Sequence, residues 1–512
     1  MQRVQFNFDQ ALHDLQATRQ LEAAGMAATG PHVLMQRAGA CVARLARALA
    51  PHARLIWIAC GGGNNGGDGL EAAALLQAGG GNVQVSWLGS PDTASADTLA
   101  SWKKAVEAGV RFVDAPPAGL GEHDLCIDAL LGIGLTSQGD GRKPSPKLME
   151  LLDAVRHTRA TTLCVDLPTG LIADTGQLAP GFERVLPPSP LRAPRHTLSL
   201  LTLKPGLFTG AGRDESGTVW FDDLQISHEE AMPHAWLAGA PTAAPRPHSS
   251  HKGSWGDVAI VGGEGLRERG MGMSGAAVLA ASAALHAGAG RVMLAPLDPQ
   301  MTQPPPGLPE IMLRRFELLD LDTATIVCGC GGGKAVQEVL PEVLRNARRL
   351  VLDADALNAI AADAGLQKLL QQRSAQPPFI TVMTPHPLEA ARLLGSDTRA
   401  IQADRIAAAK RLARRYGCIV NLKGSGSIIA APGGVPIVNP TGNARLATGG
   451  TGDVLAGLLG AAIAAVVDSD HRRQHAFEAV CKACWQHGKA ADDWADPSSL
   501  TASGLAQALT AL

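Results

Sequence analysis

A glycine-rich stretch near the C-terminus combines residue types suited to phosphoryl transfer. It reads NPTGNARLATGGTGDVLAG, and Asp453 follows three glycines and opens an apolar segment typical of a buried helix. Free N–H groups at a helix N-terminus and the helix dipole both favour bound phosphate. A carboxylate there would repel phosphate, but it could take the proton from a hydroxyl that attacks a phosphoryl group. The stretch predicts such a transfer with Asp453 as the base; the alternative is that Asp453 only caps a core helix.

A second glycine-rich loop lies in the N-terminal half. Residues Cys60–Gly69 read CGGGNNGGDG, directly after an apolar run and before the helical stretch Leu70–Ala78. The loop matches neither a Walker A loop nor the dinucleotide-binding pattern GxGxxG. Two amides and a carboxylate within it offer oxygen ligands and N–H donors together. Because a plain strand-to-helix turn would not need these side chains, the loop predicts a ligand site rather than a structural turn.

Polar residues also follow two later strand candidates. Asp128 lies in IDALLGIG, and Asp166 and Thr169 lie in VDLPTG. Ligands of open α/β sheets bind beyond the carboxyl ends of the strands. Asn65, Asp128 and Thr169 could therefore converge as hard oxygen ligands for a cation. Each Asp alone is as compatible with a helix N-cap as with a ligand.

These residues must be positioned by elements that alternate between strand and helix in both halves, which predicts two mainly parallel, helix-covered sheets. A helical arm from Ala11 to about Leu49 comes first. Between about Gln225 and Ser250 the chain is rich in Pro, Ala and His, which predicts a linker and hence domains 1–224 and 251–512. Strands are predicted at Leu55–Cys60, Val83–Leu88, Asp124–Leu130, Thr161–Leu167, His196–Leu203, Thr218–Phe221, Asp257–Val261, Arg291–Ala295, Thr325–Cys328, Leu350–Asp353, Phe379–Met383 and Cys418–Leu422, and later helices at 274–287, 400–415 and 452–467.

Composition excludes several classes of protein. The 512 residues are too many for one ordinary core. The net charge of −2, without runs of Lys or Arg, argues against nucleic acid as a partner. The longest apolar run, Val454 to Val467, is shorter than the ~20 residues that span a bilayer, and the N-terminus lacks signal-peptide features. Nine cysteines, mostly in apolar segments, suit buried thiols in a reducing cytoplasm, and Cys481-Lys-Ala-Cys484 is attributed to packing.

Taken together, the motifs carry a family resemblance. The first half resembles the NAD(P)H-hydrate epimerase domain through GGGNNGGDG, DALLGIG, VDLPTG and TLKPGL. The second half is similar to the ADP-dependent NAD(P)H-hydrate dehydratases of the ribokinase-like superfamily, through HKGSWGDVAIVGG, MSGAAVLAASAALHAGAG, LVLDADALN, TPHPLEAARLLG, NLKGSGSIIA and the stretch around Asp453. Fused in this order, and outside the linker and Pro187–Pro194, they look like the bifunctional NAD(P)H-hydrate repair enzymes. The resemblance implies a Rossmann-like three-layer α/β/α domain followed by a ribokinase-like α/β/α domain.

The resemblance also implies an activity. The first half would interconvert the R and S hydrates of NADH and NADPH with K⁺ bound nearby. The second half would dehydrate the S form at the expense of ADP, giving AMP and phosphate, with Mg²⁺ on the phosphates. The substrates would be NADHX, NADPHX and ADP, and the enzyme a cytoplasmic homo-oligomer. The alternative is a vitamin or sugar kinase with a non-catalytic nucleotide-binding module in front, which leaves the NNGGD motif unexplained.

The resemblance further implies site residues. Asn65, Asp128 and Thr169 would bind K⁺, although the family usually has Ser where Thr169 stands. The catalytic residues would be Asp453, as the base, and Asp128, as an acid or base that also serves the ion. Residues for the hydrated nucleotide are Asn64, Asn65, Gly66, Gly67, Asp68, Gly132 and Asp166 in the first half and Ala276, Gly333 and His386 in the second. Residues for ADP are Lys423, Gly424, Ser425, Gly426, Ser427, Gly449, Gly450 and Gly452.

One segment departs from the family pattern. Where the family usually has Gly-Pro-Gly-Leu-Gly, this chain has Gly329-Cys-Gly-Gly-Gly333. Losing Pro and gaining Gly each cost about 0.5–1 kcal/mol through the entropy of the unfolded chain. We therefore expect a looser turn and a lower substrate affinity, with the chemistry unchanged.

Overall fold

The computed structural model describes residues 1–136, 143–183, 193–228, 231–242, 245–266, 270–376, 379–467, 469–495 and 498–511. It divides into two compact units. Unit 1 comprises Met1–Gln5 and Ala11–Ala235, and unit 2 comprises Phe6–Gln10 and Trp236–Leu512. Across the described ranges, no helix combines the length and the apolarity that crossing a bilayer requires.

Unit 1 is built around strands that alternate with helices. Its strands are β1 (Gln2–Arg3), β3 (Ile56–Cys60), β4 (Val83–Trp87), β5 (Arg111–Phe112), β6 (Leu125–Ala129), β7 (Thr161–Val165), β8 (Arg195–Leu200) and β9 (Thr218–Asp222), and β2 (Gln10–Leu12) lies at the boundary of the units. Its helices are α1 (Leu15–Thr29), α2 (Val33–Leu49), α3 (Asn64–Ala78), α4 (Ala96–Glu107), α5 (Pro146–His157) and α6 (Gly212–Glu215).

The sheet of unit 1 has the order β1-β9-β8-β7-β6-β3-β4-β5, and all its pairs are parallel except β1 with β9. From β3 onward this is the doubly wound order, whose direction reverses between β3 and β6. Successive residues of β3 are buried on opposite faces, Ile58 in a cluster with α2 and α3 and Trp57 in a cluster with α5. Helices therefore cover both faces, because side chains alternate along a strand.

Unit 2 repeats this plan. Its strands are β10 (Ala235–Leu237), β11 (Asp257–Gly262), β12 (Arg291–Pro296), β13 (Met312–Leu313), β14 (Thr325–Cys328), β15 (Arg349–Leu352), β16 (Ile380–Met383), β17 (Ile419–Leu422), β18 (Ser427–Ala430) and β19 (Ile437–Asn439). Its helices are α7 (Ser274–His286), α8 (Val336–Asn346), α9 (Ala354–Ala362), α10 (Ala364–Ser374), α11 (Pro387–Leu394), α12 (Thr398–Ala403), α13 (Arg405–Tyr416), α14 (Thr451–Ala464), α15 (Arg472–Asp492) and α16 (Ala502–Gln507).

Its sheet runs β13-β12-β11-β14-β15-β16-β17-β18-β19-β10, parallel except where β18 pairs with β17 and β19. The direction of the strand order again reverses, here between β11 and β14. One face packs against α7 and α14, and Val258 and Val327 lie in that cluster with Leu458. The neighbouring residues Ala259 and Ile326 are equally buried. The prediction of a mixed α/β protein with two domains is thus confirmed.

Three predicted elements differ from the structure. The helical arm is two helices, because Gly30 and His32 adopt positive φ between α1 and α2. The helix at 400–415 is also two, because Asp404 ends α12 and caps α13, accepting a hydrogen bond from Ala407 N. The segment 225–250, predicted as a linker, contains β10, in which Leu237 pairs with Val438 of β19. This strand was not predicted because the apolar runs between the prolines of the segment are short.

Candidate functional sites

A cavity of about 430 Å³ in unit 1 lies at the carboxyl ends of β3 and β6, where the strand order reverses. Loops at such a reversal leave a crevice in which ligands bind. Of the predicted residues, the cavity wall includes Asn64, Asn65, Asp68, Gly132 and Asp166. The predicted residues Gly66, Gly67, Asp128 and Thr169 are not among the residues that line it.

The asparagines and glycines belong to a helix rather than to the predicted loop, because α3 already begins at Asn64. The glycines serve close packing. A Cβ on Gly66 would lie 1.9 Å from the carbonyl oxygen of Gly61, and one on Gly69 would lie 2.6 Å from Ala129 Cβ. The absence of side chains lets α3 approach β3 and β6, and this approach presents Asn65 and Asp68 to the cavity.

Asp166 is held in one orientation by a buried lysine. Lys204 is fully buried, and its Nζ forms a salt bridge with Asp166 Oδ1 and donates to the carbonyl oxygen of Leu200 at 2.7 Å. Asp166 Oδ1 also accepts a hydrogen bond from Leu200 N at 3.2 Å. The residue has a φ of 65°, which is strained for a non-glycine and typical of functional positions.

Two further carboxyl groups share this cavity with Asp166. Burial raises the pKa of Asp68 well above its usual range, and Asp166, Glu22 and Glu71 raise it further, whereas Lys204 lowers it. Burial and then Asp166 likewise raise the pKa of Glu22. Lys204 and, for Glu22, also Arg19 act in the opposite direction without outweighing these effects, so the protonated forms of Asp68 and Glu22 are favoured.

Asp128 lies beneath the cavity wall, fully buried. Its Oδ1 accepts from the Thr169 hydroxyl at 2.6 Å and its Oδ2 from Thr169 N at 3.0 Å. In the described part of the chain no salt bridge reaches Asp128, and the buried Asn65 Nδ2 has no hydrogen-bond partner. Asn65 Oδ1 lies 3.1 Å from the position of a Cβ on Gly132, so a side chain at Gly132 would crowd this oxygen. These hard oxygens and an uncompensated buried carboxylate fit a monovalent cation.

In unit 2 the glycine-rich stretch forms the N-terminus of α14. Gly450, with a φ of 92°, is its N-cap residue, and Asp453 lies within the first turn. The alternative that Asp453 is an N-cap is therefore contradicted. A Cβ on Gly452 would lie 3.5 Å from Lys423 Nζ, which places the predicted nucleotide lysine beside the helix N-terminus. Gly449 has open space around it.

Asp453 belongs to a cluster with Cys330 and Asp353, whose Oδ and Sγ atoms lie within 4.8 Å of one another. Burial and, next, the charge of Asp353 raise the pKa of Asp453, a hydrogen bond with Cys330 and the charge of Lys423 lower it, and together these effects place it at about 6. Asp353 itself is bound by Lys423 Nζ at 2.7 Å and by the Thr384 hydroxyl at 2.6 Å. The pKa of Asp453 therefore lies close to neutral pH, as catalysis by a general base requires.

The predicted nucleotide loop is a tight turn between β17 and β18. Gly424 and Gly426 have φ values of 144° and 65°, and Ser427 Oγ donates to Gly424 O at 3.2 Å. The buried Arg405 fixes the turn by donating to the carbonyl oxygens of Leu422 and Gly426. The loop begins directly after Lys423, and Ser425 lies between its two glycines.

The remaining predicted residues of unit 2 line neighbouring strand ends. Gly333 N donates to Asp355 Oδ2 at 2.9 Å after β14, and Ala276 lies in the first turn of α7. His386 is the N-cap of α11, where its Nδ1 accepts from the N–H groups of Leu388 and Glu389. Burial lowers the pKa of His386, as does Lys423. His386 therefore has a structural role as the N-cap of α11, and its contact with the hydrated nucleotide stays a prediction.

The segment that departs from the family pattern is ordered by its glycines. Gly329, Gly331 and Gly333 all have positive φ, and a Cβ on Gly331 would lie 2.9 Å from Ala276 Cβ. Cys330 is fully buried. Cys330 stands where the family usually has proline, and the expectation of a looser turn and a lower substrate affinity stays a prediction.

Sequence reasoning missed several residues of the two sites: Glu22, Lys204, Cys330, Asp353, Glu389 and Arg405. Lys204 and Asp353 stand in motifs that were noticed, TLKPGL and LVLDADALN. Glu22 carries no such signal, because a glutamate on a helix is usually solvent-exposed. Only the tertiary contacts of α1 bring it to the cavity.

Each half of the chain matches a known protein family. Residues 31–206 match the family described as YjeF-related protein N-terminus, and residues 260–511 match the family described as NAD(P)H-hydrate dehydratase. The bifunctional NAD(P)H-hydrate repair enzyme Nnr of Escherichia coli is 33% identical over 492 residues, which cover 92% of this chain and 87% of the relative. The ADP-dependent (S)-NAD(P)H-hydrate dehydratase of Neisseria meningitidis is 40% identical, covering 54% of this chain and 87% of the relative.

One solved structure is similar to the second half. It is the ADP/ATP-dependent NAD(P)H-hydrate dehydratase of Bacillus subtilis, co-crystallised with ATP and Mg²⁺. It is 29% identical, with a TM-score of 0.42, and the match covers 52% of this chain and 92% of that chain.

Proposed function

The chain belongs to the family of bifunctional NAD(P)H-hydrate repair enzymes, and from that premise we propose how its two units divide the work. Unit 1 interconverts the R and S hydrates of NADH and NADPH. Unit 2 removes water from the S hydrate, consuming ADP and releasing AMP and phosphate. The observation that carries the proposal is the Asp453 carboxyl, with a pKa of about 6, at the glycine-rich N-terminus of α14 beside Lys423.

The dehydration follows from the chemistry of the hydrate. Water added at C6 of the reduced ring gives a carbinolamine, whose hydroxide is a poor leaving group. Asp453 takes the hydroxyl proton, the oxygen attacks the terminal phosphorus of ADP, and the bond to AMP breaks. The ring nitrogen then expels phosphate from C6, and loss of a proton from C5 restores the conjugated ring. The N–H groups at the start of α14 stabilise the charge on the phosphoryl oxygens.

Lys423 supplies a fixed positive charge next to the phosphoryl site. Burial alone would lower the pKa of Lys423, but Asp353 and Glu389 outweigh it and raise that pKa. The lysine is therefore a cation at every working pH. Mg²⁺, when bound to the phosphates, would neutralise their charge. The buried thiol of Cys330 is not a ligand that Mg²⁺ favours, so we assign Mg²⁺ to the nucleotide and not to the Cys330, Asp353 and Asp453 cluster.

The K⁺ site of unit 1 is proposed at Asn65, Asp128 and Thr169. What supports it is the set of hard oxygens together with a buried carboxylate that lacks a salt bridge among the described residues. When bound, K⁺ would offset the charge of Asp128. Asp128 then orders Thr169 and the chain around Leu131, whose N–H donates to the Thr169 hydroxyl at 3.0 Å.

One assay tests the division of labour. NADHX of both configurations is incubated with the purified chain, and NADH absorbance and the epimer ratio are followed with and without ADP. We expect full conversion to NADH with ADP, and interconversion of the epimers without NADH formation when ADP is absent. A stable phosphorylated product in place of NADH would instead indicate a kinase. An epimer ratio that relaxes only at the spontaneous rate would contradict the assignment of unit 1.

A further inference from the structure

The cavity of unit 1 holds more ionisable groups than binding a nucleotide requires. Its wall includes Glu22, Asp68, Asp166 and Lys204, and the hydrated ring carries no positive charge that three carboxyl groups could bind. Burying carboxylates close together costs free energy, and such clusters are therefore typical of functional sites. Asp128, the residue first assigned to acid or base chemistry, is enclosed by Thr169 and does not line the cavity.

The two oxygens of Asp166 have different surroundings. Oδ1 is used by Lys204 Nζ and by Leu200 N. Oδ2 faces the other way, 3.4 Å from the position that a Cβ on Gly132 would take, and Gly132 lines the cavity. Asp166 is therefore a carboxylate paired with a cation at one oxygen and directed towards the ligand space with the other.

Asp68 has the opposite environment. It lines the same cavity from α3, without a salt bridge to any described residue. The charged groups that act on it come from every neighbouring element: Glu22 of α1, Glu71 of α3, Asp166 after β7 and Lys204 after β8. Arg19, His32 and Asp97 also line the cavity, and Glu71 is paired with Lys104. Burial is the largest cause that raises the pKa of Asp68 well above its usual range, and three carboxylates raise it further against Lys204, so the protonated form of Asp68 is favoured.

A neutral carboxylic acid and a cation-paired carboxylate in one cavity form an acid–base pair. We propose that Asp68 is the acid and Asp166 the base of the epimerisation reaction, and that Lys204 is the positioning residue that holds Asp166. The inference rests on the epimerase function proposed for unit 1.

The step needs no co-reactant. Asp166 takes the proton of the C6 hydroxyl, and the C6–N1 bond breaks with its electron pair moving to N1. N1 takes the proton of Asp68, which leaves an open chain with an aldehyde at C6. Rotation about C5–C6 exposes the other face of the aldehyde. The reverse sequence closes the ring in the opposite configuration: N1 attacks C6 and gives its proton back to Asp68, and the aldehyde oxygen takes the proton back from Asp166 and becomes the C6 hydroxyl again.

The test measures the interconversion of R- and S-NADHX by the full-length chain, without ADP, between pH 5 and pH 9. The variants are Asp68→Asn, Asp68→Glu and Lys204→Met, and the control is Asp153→Asn, an exposed carboxylate of α5. Asp68→Asn should lower the rate ~10²–10⁴-fold, and its residual rate should lack the fall at high pH that deprotonation of the acid causes in the parent. Asp68→Glu should retain that fall and a larger share of the rate.

Lys204→Met should lower kcat for epimerisation more than it changes KM, because Asp166 loses the salt bridge that fixes its Oδ1 and with it the orientation of the base. The assignment of the acid would be overturned if Asp68→Asn interconverted the epimers at a rate within a few-fold of the parent's. It would also be overturned if Asp68→Asn were slow but its rate still fell at high pH as the parent's does. If Asp68→Asn did not fold, a folded Asp68→Glu without the fall at high pH would overturn it too. A parent chain that fails to interconvert the epimers would overturn the function of unit 1 itself, a result separate from any difference between variants.

Discussion

Asp453 and Asp353 lie in one cluster but have different partners. Asp353 is bound by Lys423 and Thr384, which stabilise its charge, whereas Asp453 has only the thiol of Cys330 and a buried position. Two carboxyl groups with such separate environments take separate tasks. In the proposed mechanism, Asp353 would orient the lysine beside the phosphoryl site, and Asp453 would exchange the proton.

Asp453→Asn is expected to abolish ADP-dependent formation of NADH. The amide cannot take a proton, and loss of a general base costs ~10²–10⁴ in rate. The fold should survive, because Gly450, and not Asp453, is the N-cap of α14. Asp404→Asn, at the N-cap of α13, is the matched control and should keep the parent's rate. NADH absorbance measures both, and an active Asp453→Asn would refute the assignment of the base.

The dehydration rate should depend on pH through Asp453. The base acts only when deprotonated, so kcat/KM should fall as the pH drops below about 6. Cys330→Ala removes the hydrogen bond that lowers the pKa of Asp453. This pKa should then rise and shift the low-pH limb upward by up to about one unit, since such a bond contributes roughly 0.5–1.5 kcal/mol.

The control for that shift is Cys328→Ala, which removes an equally buried thiol from β14. It lies outside the cluster around Asp453, so it should change stability without moving the limb. Equal pH profiles for Cys330→Ala and the parent would show that the thiol does not act on the base.

At the level of the elements, the glycines of α3 decide whether the cavity of unit 1 forms. Gly66→Ala would place its Cβ 1.9 Å from Gly61 O, whereas a Cβ on Gly121, which is outside the cavity wall, would meet nothing closer than 3.9 Å. Gly66→Ala should displace α3 from β3, lower the thermal stability of unit 1 and cost epimerisation at least tenfold. Gly121→Ala should behave like the parent, and ADP-dependent dehydration of the S hydrate should continue in both. Equal epimerase rates for the two variants would contradict the packing role.

The positions of most helices and strands could be predicted from the sequence, but the structural roles of the residues in the motifs could not. Buried parallel strands such as Thr325–Cys328 are continuous apolar runs, so their positions were predictable to within a residue or two. The glycines after Asn65 were interpreted as donors to a ligand, but they permit contact with strands that are distant in sequence. The pairing of Lys204 with Asp166 depends on the order of the sheet, which no local pattern encodes.

For the whole molecule, the division into units predicts which fragments fold. A fragment that begins near His248 lacks β10, so β19 loses one of its two partners and becomes an edge strand. Residues 232–512 should therefore unfold at a higher temperature than residues 248–512, and both should dehydrate only the S hydrate with ADP. Residues 1–228 should interconvert the epimers alone. Thermal unfolding and the epimer ratio measure these differences, and equal stability of the two C-terminal fragments would refute the role of β10.

The path of the chain through the two units has a consequence for biosynthesis. Phe6–Gln10 belongs to unit 2, where Ala240 N donates to Phe6 O at 2.6 Å and Gly239 N donates to Asp9 Oδ1 at 2.7 Å. The chain thus enters unit 2 at Phe6, returns to unit 1 at Ala11 and enters unit 2 again at Trp236. During translation unit 1 can complete its sheet once β9 has left the ribosome, whereas Phe6–Gln10, although made early, must wait for the rest of its unit. Unit 1 can therefore be complete while unit 2 is still being synthesised, and Phe6–Gln10 is then among the last segments to reach its native contacts.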